Sequence, residues 1–176
     1  MTPAKPFPKL LMALPIVLAV CILLLYFRGL TFDPNELNSR LMGRPLPEFS
    51  APALHDRELI LKSQSIKGPA LINIWASWCG ACQEEHAELM RIAKEESMHI
   101  YGVAYQDEVN AAIGWLDANG NPFVWTMFDG GAVLGQPLDI FSLPQTYLID
   151  SQGVIRARHI GKLTNEVWVA MQARLH

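Results

Sequence analysis

Apolar positions follow two different patterns along this 176-residue chain. Near the N-terminus they form one long run, whereas beyond residue 45 short apolar runs alternate with segments whose apolar residues recur every three or four positions. The short runs predict strands and the periodic segments predict helices. The predicted strands are 58–61, 71–76, 100–105, 123–128, 146–149 and 154–159, and the predicted helices are 79–96, 107–119 and 165–175. This alternation indicates an α/β fold, a central mixed sheet with at least one parallel pair and with helices on both faces.

The N-terminal run predicts a membrane anchor. It covers 10–27, about 18 residues, and is long enough to span a bilayer as a single helix. Lys5 and Lys9 precede the run and the first 28 residues contain no acid, so the positive-inside rule places the N-terminus in the cytoplasm and exports the remainder. A cleaved signal peptide is the alternative, but no Ala-x-Ala-like site follows the run. The first segment, 1–28, is therefore expected to be a cytoplasmic N-terminus with a transmembrane helix.

The composition changes again after the anchor. Residues 29–45 are mostly polar, contain Gly and Pro, and lack a periodic apolar pattern, which is typical of a linker. Residues 46–176 are numerous enough for one compact domain. Three of the 14 Lys and Arg residues lie in 1–28, which leaves 11 for the rest of the chain against all 17 Asp and Glu residues. This acidic balance argues against a nucleic-acid partner.

Two cysteines at the start of the first predicted helix carry the candidate chemistry. Backbone N–H groups and the helix dipole stabilise a thiolate at a helix N-terminus, so Cys79 is the predicted nucleophile. Cys82, one turn on, can attack a mixed disulfide formed by Cys79 and release the partner. The pair predicts dithiol–disulfide exchange, with a structural disulfide and a metal site of Cys79, Cys82 and His86 as alternatives. The third cysteine, Cys21, lies in the anchor, so no second Cys-x-x-Cys completes a zinc site.

Helical spacing singles out one acid behind the dithiol. Glu85 lies three residues after Cys82 and shares the face of Leu89, so its carboxyl is expected on the buried side of the helix. Burial raises the pKa of a carboxyl, and such a group can accept or return a proton near neutral pH. An ordinary helix-stabilising acid is the alternative. His86 is expected to be a packing residue, and the solvated face is expected to hold Glu84, Glu88 and Glu95.

In the stretch 142–150 a proline stands directly before a β-rich run. Together with the upstream Cys-x-x-Cys, Pro144 makes the layout resemble the thioredoxin superfamily, in which a cis-proline loop faces the dithiol and its backbone pairs with the substrate. Further motifs narrow this resemblance from the superfamily to one family within it. They lie at 73–79, 82–86, 102–105, 143–150 and 158–161, and the stretches 43–49 and 115–134 fit the same family. The chain is similar to the DsbE/CcmG family, membrane-anchored thioredoxin-like proteins that serve cytochrome c maturation.

That resemblance implies a thioredoxin-like fold and a reducing role. Cys79 would attack, Cys82 would resolve and Glu85 would tune the thiols. The implied substrate-binding residues are Trp78, Gly80, Ala81, Pro144 and Gln145. The implied partners are apocytochrome c or a cytochrome c maturation protein and a transmembrane thiol electron donor. No cofactor is expected beyond the Cys79–Cys82 disulfide, and the expected location is the bacterial inner membrane with the C-terminal domain in the periplasm.

Two positions depart from the family pattern. Gly80 and Gln145 stand where the family often has Pro and Glu. Gln145 removes a negative charge near the dithiol, which is expected to favour the thiolate and to affect which partner docks. A general membrane-tethered reductase or oxidase, and a metal carrier, therefore stay as alternatives.

Overall fold

The computed structural model describes residues 15, 17–24, 26 and 39–175. The first group is helical and lies within the predicted anchor 10–27; the remainder of that anchor, and the predicted linker up to residue 38, lie outside the described residues. In the part that is described, no helix is long and apolar enough to cross a membrane. The chain divides into two compact units, Met1–Leu37 and Asn38–His176, and the second contains the dithiol.

A five-stranded mixed sheet forms the centre of the second unit. The elements, in chain order, are β1 (Ser50–Pro52), β2 (Ile60–Lys62), β3 (Ala70–Trp75), α1 (Gly80–Glu95), β4 (His99–Tyr105), α2 (Val109–Asn119), β5 (Thr126–Asp129), β6 (Gln145–Ile149), β7 (Ile155–Ile160) and α3 (Asn165–Gln172). The sheet order is β5-β4-β3-β6-β7, with β3, β4 and β5 parallel and with β6 antiparallel to both neighbours. The predicted mixed sheet is confirmed, and β1 and β2 pair separately.

The three α-helices pack on one face of the sheet. They share a core with alternate residues of the central strands, and this core includes Leu71, Leu89, Leu116, Leu148 and Trp168. The expectation of helices on both faces is therefore wrong. Strand order explains the result: the chain moves from β3 to β4 to β5 in one direction across the sheet. Two right-handed crossovers in the same direction place α1 and α2 on the same side.

Irregular segments cover the opposite face. Its core combines strand residues such as Ile72 and Tyr147 with Phe49 from the N-terminal part of the domain and with Leu134 and Leu138 from the connection between β5 and β6. That connection must cross from one edge of the sheet to the middle, since β6 lies beside β3. On this face the loops therefore cover the sheet and bury its apolar side chains, as the helices do on the other face.

The domain begins before the predicted boundary at residue 46. Gly43 N–H donates to Ile155 O at 2.9 Å, and Ile155 N–H donates to Arg44 O at 2.9 Å. Pro45 forms an isolated bridge with Val154. Residues 43–45, which the sequence assigns to the linker, thus pair with residues 154 and 155 at the start of β7.

Strand register places the site at one end of the sheet. Trp75, at the end of β3, is opposite Ala104 near the end of β4, and Ile74 is opposite Gln145 at the start of β6. The residues after β3, the residues after β4 and the proline before β6 therefore meet at the same sheet end. This end carries the cysteines.

Candidate active site

Cys79 and Cys82 form a disulfide at the N-terminus of α1. Cys79 is the N-cap residue in an extended conformation, and its Sγ accepts a hydrogen bond from Cys82 N–H at 3.2 Å. Both cysteines are almost fully buried, at 6% and 4% exposure, whereas Gly80 and Ala81 between them are exposed. The free N–H groups of the first turn therefore surround Cys79, as predicted, and the turn that links the two sulfur atoms is open to an approaching chain.

A buried carboxylate, which the sequence analysis missed, holds the loop before the dithiol. Asp107 accepts hydrogen bonds from Ser77 N–H at 2.5 Å and from Ser77 Oγ at 2.7 Å. Trp78 is 61% exposed, and its indole N–H donates to Gln106 O at 2.9 Å. The loop after β4 thus fixes the loop after β3. The only signal in the sequence was an acid two residues after the end of a strand, and its partner Ser77 lies 30 residues away.

Glu85 lies on the buried face of α1, as helical spacing predicts. Its carboxyl is fully buried, at 0% exposure. Oε1 accepts from Asn73 Nδ2 at 2.8 Å, and Oε2 accepts from Leu163 N–H at 2.6 Å. Asn73 Nδ2 also donates to Thr146 Oγ1 at 3.0 Å. The acid therefore joins α1 to two central strands and to the loop that precedes α3.

Burial raises the pKa of Glu85 to about 7. The hydrogen bonds from Leu163 and Asn73 and the positive charge of Lys162 act in the opposite direction but do not offset the loss of hydration. The pKa of Glu85 is thus raised in the expected direction, so the carboxyl can change its protonation state near neutral pH. Glu84 and Glu95 are exposed as expected, while Glu88 is half-buried and paired with Arg91 at 2.7 Å.

His86 packs against α2. Its Nε2 lies 3.1 Å from Gly120 O, and its ring meets Trp115 edge-on at 4.3 Å between centroids. Burial lowers the pKa of this imidazole. Among the residues that the structure describes, no group of three His, Cys, Asp or Glu side chains could hold a metal ion.

Pro144 lies where the register places the start of β6, and the Leu143–Pro144 bond is cis. The proline is buried, and its carbonyl accepts from Gly161 N–H at 2.8 Å. This hydrogen bond connects the proline loop to the same 161–164 loop that reaches Glu85.

The side chain of Gln145 points to the sheet face opposite Glu85. It is fully buried; its Nε2 donates to Leu138 O at 3.3 Å and to Tyr147 Oη at 2.9 Å, and its Oε1 accepts from Arg158 at 3.1 Å. Since neighbouring strand residues alternate between faces, Thr146 takes the helix side and Gln145 the loop side. The substrate contact of Gln145 stays a prediction, and only the backbone of this residue could make it, because the side chain is buried among these partners. Its side chain ties the β5–β6 connection to the sheet.

Comparison with known proteins agrees with this geometry. The Redoxin family model matches residues 41–172. The thiol:disulfide interchange protein DsbE of Pseudomonas aeruginosa is 40% identical, and the alignment covers 96% of this chain and 93% of that protein. DsbE of Yersinia pestis is 36% identical over 96% and 92% of the two chains, and DsbE of Escherichia coli is 37% identical over 77% and 74%.

Solved structures show the same fold at low identity. A crystal structure of a putative DsbE from Chlorobium tepidum superposes with a TM-score of 0.61 at 22% identity, covering 77% of this chain and 98% of that one. A secreted thiol-disulfide isomerase from Corynebacterium glutamicum gives 0.67 at 17% identity, covering 82% and 97%.

The fold and the Cys79–Cys82 couple define a thiol–disulfide oxidoreductase of the thioredoxin-like class. Its redox group consists of the two sulfur atoms at the helix N-terminus. Within that class, the chain belongs to the redoxin family and, more narrowly, to the DsbE thiol:disulfide interchange proteins.

Proposed function

We propose that this protein is a membrane-anchored periplasmic reductase that keeps the haem-binding cysteines of apocytochrome c reduced. The observation that carries the proposal is a Cys79–Cys82 couple above the buried acid Glu85, in a chain that matches DsbE of Pseudomonas aeruginosa over nearly its whole length. The DsbE/CcmG resemblance supplies the client, since that family serves cytochrome c maturation.

The reducing cycle uses both cysteines and Glu85. The Cys79 thiolate attacks one sulfur of the substrate disulfide, forms a mixed disulfide and expels one substrate thiolate. The Cys82 thiol then gives its proton to the Glu85 carboxylate, attacks Cys79 Sγ and expels the second substrate thiolate. The substrate gains two electrons and, from the protonated acid and water, two protons. A transmembrane dithiol donor returns two electrons to the Cys79–Cys82 disulfide.

Exposed residues around the dithiol provide the substrate surface. Trp78 lies beside Cys79 with most of its ring in solvent, and Gly80 and Ala81 are exposed in the first turn of α1. Pro144 stands at the same sheet end, and its loop offers backbone groups for an extended peptide. A substrate chain would thus lie between the turn of the dithiol and the proline loop.

The N-terminal segment would hold the domain at the inner membrane. Its described helical residues expose their apolar side chains; Leu18, Ile22 and Leu24 are 61%, 59% and 61% exposed. A helix that is apolar on all sides needs a lipid or protein environment. Extraction of membranes with alkaline carbonate tests this assignment: the full chain should stay in the pellet, and a chain that lacks residues 1–28 should be released.

A reduction potential and a client assay test the reductase assignment. The full chain is used with Cys21→Ser, so that only the two site cysteines exchange. A potential near or below about −200 mV supports a reductase, and a value near about −120 mV places the protein among oxidases. Reduction of an oxidised Cys-x-x-Cys-His peptide is then compared with a matched peptide in which Ala replaces the His.

Trapping of the mixed disulfide provides the matched control. Cys82→Ser should accumulate a covalent complex between Cys79 and the peptide, and Cys79→Ser should not. Equal rates on both peptides would assign the protein to the general reductases. A complex that forms equally well through Cys82 would contradict the assigned order of attack.

A further inference from the structure

Asn73 is the side chain that contacts Glu85 directly and that the reducing cycle leaves without a role. It projects from the centre of β3, is fully buried, and bridges Glu85 and Thr146 through Nδ2. In the described structure its other terminal atom, Oδ1, is buried and lacks a hydrogen-bond partner. An unsatisfied buried acceptor is destabilising, so its presence beside a titrating acid calls for an explanation.

The network suits only the ionised form of Glu85. Both carboxyl oxygens accept, one from Asn73 Nδ2 and the other from Leu163 N–H. A protonated carboxyl has an O–H that must donate, and neither of these partners can accept it. The neutral acid therefore needs an acceptor within reach of Oε1.

Rotation of the Asn73 amide by 180° supplies that acceptor. The rotation exchanges Oδ1 and Nδ2, so that Oδ1 faces the Glu85 O–H and the Thr146 hydroxyl, both of which can donate. The two orientations of one amide thus match the two protonation states of one acid. Leu163 N–H keeps its acceptor in both states, because the neutral carboxyl still has a carbonyl oxygen.

We propose that Asn73 is a positioning residue whose amide rotates with the protonation of Glu85 and so holds the acid in place while it exchanges a proton with Cys82. The proposal rests on the dithiol exchange proposed above. When the Cys82 S–H bond breaks, its proton forms the Glu85 O–H bond, and that O–H bond then donates to Asn73 Oδ1. No heavy atom of the backbone has to move.

Among the groups around Glu85, Asn73 is the partner that can change its hydrogen bond with the acid. Lys162 acts on the acid through its charge but is itself paired with Glu84 at 3.2 Å on the surface. His86 is engaged by Gly120 O on the side of α2. Thr146 and Leu163 contribute neutral groups from β6 and from the 161–164 loop.

An NMR titration of the oxidised full chain tests whether the Asn73 amide responds to the protonation of Glu85, as the rotation requires. The chain is labelled with ¹⁵N-asparagine and with ¹³C-glutamate, purified in a mild detergent and titrated from pH 5.5 to 9. The Asn73 side-chain signals are assigned by their loss in Asn73→Ser. They should shift with the same midpoint as the Glu85 carboxyl carbon and stay constant in Glu85→Gln, while the signals of Asn165 on α3 should not move.

The kinetic counterpart uses Asn73→Ala. The variant loses a charge-assisted hydrogen bond to the carboxylate but only a weaker one to the neutral acid. We expect the midpoint for decay of the mixed disulfide to rise by about one pH unit, a tenfold gain in proton affinity. Constant Asn73 signals across the Glu85 titration, or an unchanged midpoint in Asn73→Ala, would overturn the proposal.

The proposed client and the proposed rotation of Asn73 can be refuted independently of each other. The NMR titration uses the oxidised chain without any partner, so it gives the same result whether or not apocytochrome c is the client. If Asn73→Ala does not fold, the titration of the wild-type chain still decides the question.

Discussion

Replacement of Glu85 by Gln tests how the buried acid affects the free energy of unfolding. Burial raises the pKa of Glu85 from 4.5 to about 7. An acid whose pKa is higher in the folded chain favours folding when protonated, so its contribution to stability is present at low pH and is lost as pH rises from about 4.5 to 7. The Gln side chain in Glu85→Gln carries no charge at any pH, so this variant should not lose stability as pH rises through this range.

The size of the effect follows from the two pKa values. Between pH 5 and pH 8 the wild-type chain should lose about 2.5 kcal/mol of unfolding free energy relative to Glu85→Gln. The Gln side chain can accept from Leu163 N–H, and its amide N–H can donate to a rotated Asn73, so the two proteins should have similar stability near pH 5. Near pH 8 the variant should be the more stable one.

Denaturant unfolding of the oxidised full chain at several pH values measures this difference. Glu84→Gln is the matched control, since Glu84 is exposed on the same helix and should not change the pH profile. His86, whose pKa is lowered by burial, contributes stability that is lost as pH falls. That contribution is common to both proteins and cancels in the difference. Parallel pH profiles for the wild type and Glu85→Gln would refute the reasoning.

Three further substitutions probe the geometry around the dithiol. Gly80→Pro should stabilise the oxidised chain by about 0.4–1 kcal/mol, because Gly80 is the first helical residue and an added Cβ meets nothing within 4 Å; a lower melting temperature than that of Gly80→Ala would contradict this. Asp107→Asn should slow peptide reduction, since it weakens the hold on Ser77; an unchanged rate would remove Asp107 from the site. Gly135→Ala should cost about 1–3 kcal/mol, because its Cβ would lie 2.6 Å from the Tyr105 hydroxyl oxygen. Tyr105→Phe in the same chain should recover part of that loss in unfolding free energy, and no recovery would exclude the clash.

The dithiol, its helix and Glu85 could be predicted because each depends on local spacing. A strand followed by Cys-x-x-Cys sets the helix start, and the 3.6-residue period then fixes which acid is buried. The contact of Asp107 with Ser77 could not be predicted in this way, since it depends on the pairing of β3 with β4.

One expectation failed because it needed the strand order, and the face of Gln145 could not be predicted without the strand pairing. The placement of the helices follows from the order β5-β4-β3-β6-β7, which no periodicity encodes. The face of Gln145 was hidden because β6 is buried on both sides, so its sequence shows no alternation of polar and apolar residues.

The central sheet separates the buried acid on its helix side from the loop layer that covers its opposite face. Thr146 and Gln145 are adjacent in sequence, yet one supports the acid on the helix side while the other fastens the loop layer on the far side. Sequence changes in the loop layer can therefore alter that face of the domain without touching Asn73, Glu85 and Thr146 on the other side of the sheet. The same property makes the domain a scaffold for engineering: exposed positions of the β5–β6 connection, such as Val133, can be changed while Leu134, Leu138 and the Cys79–Cys82 couple are kept.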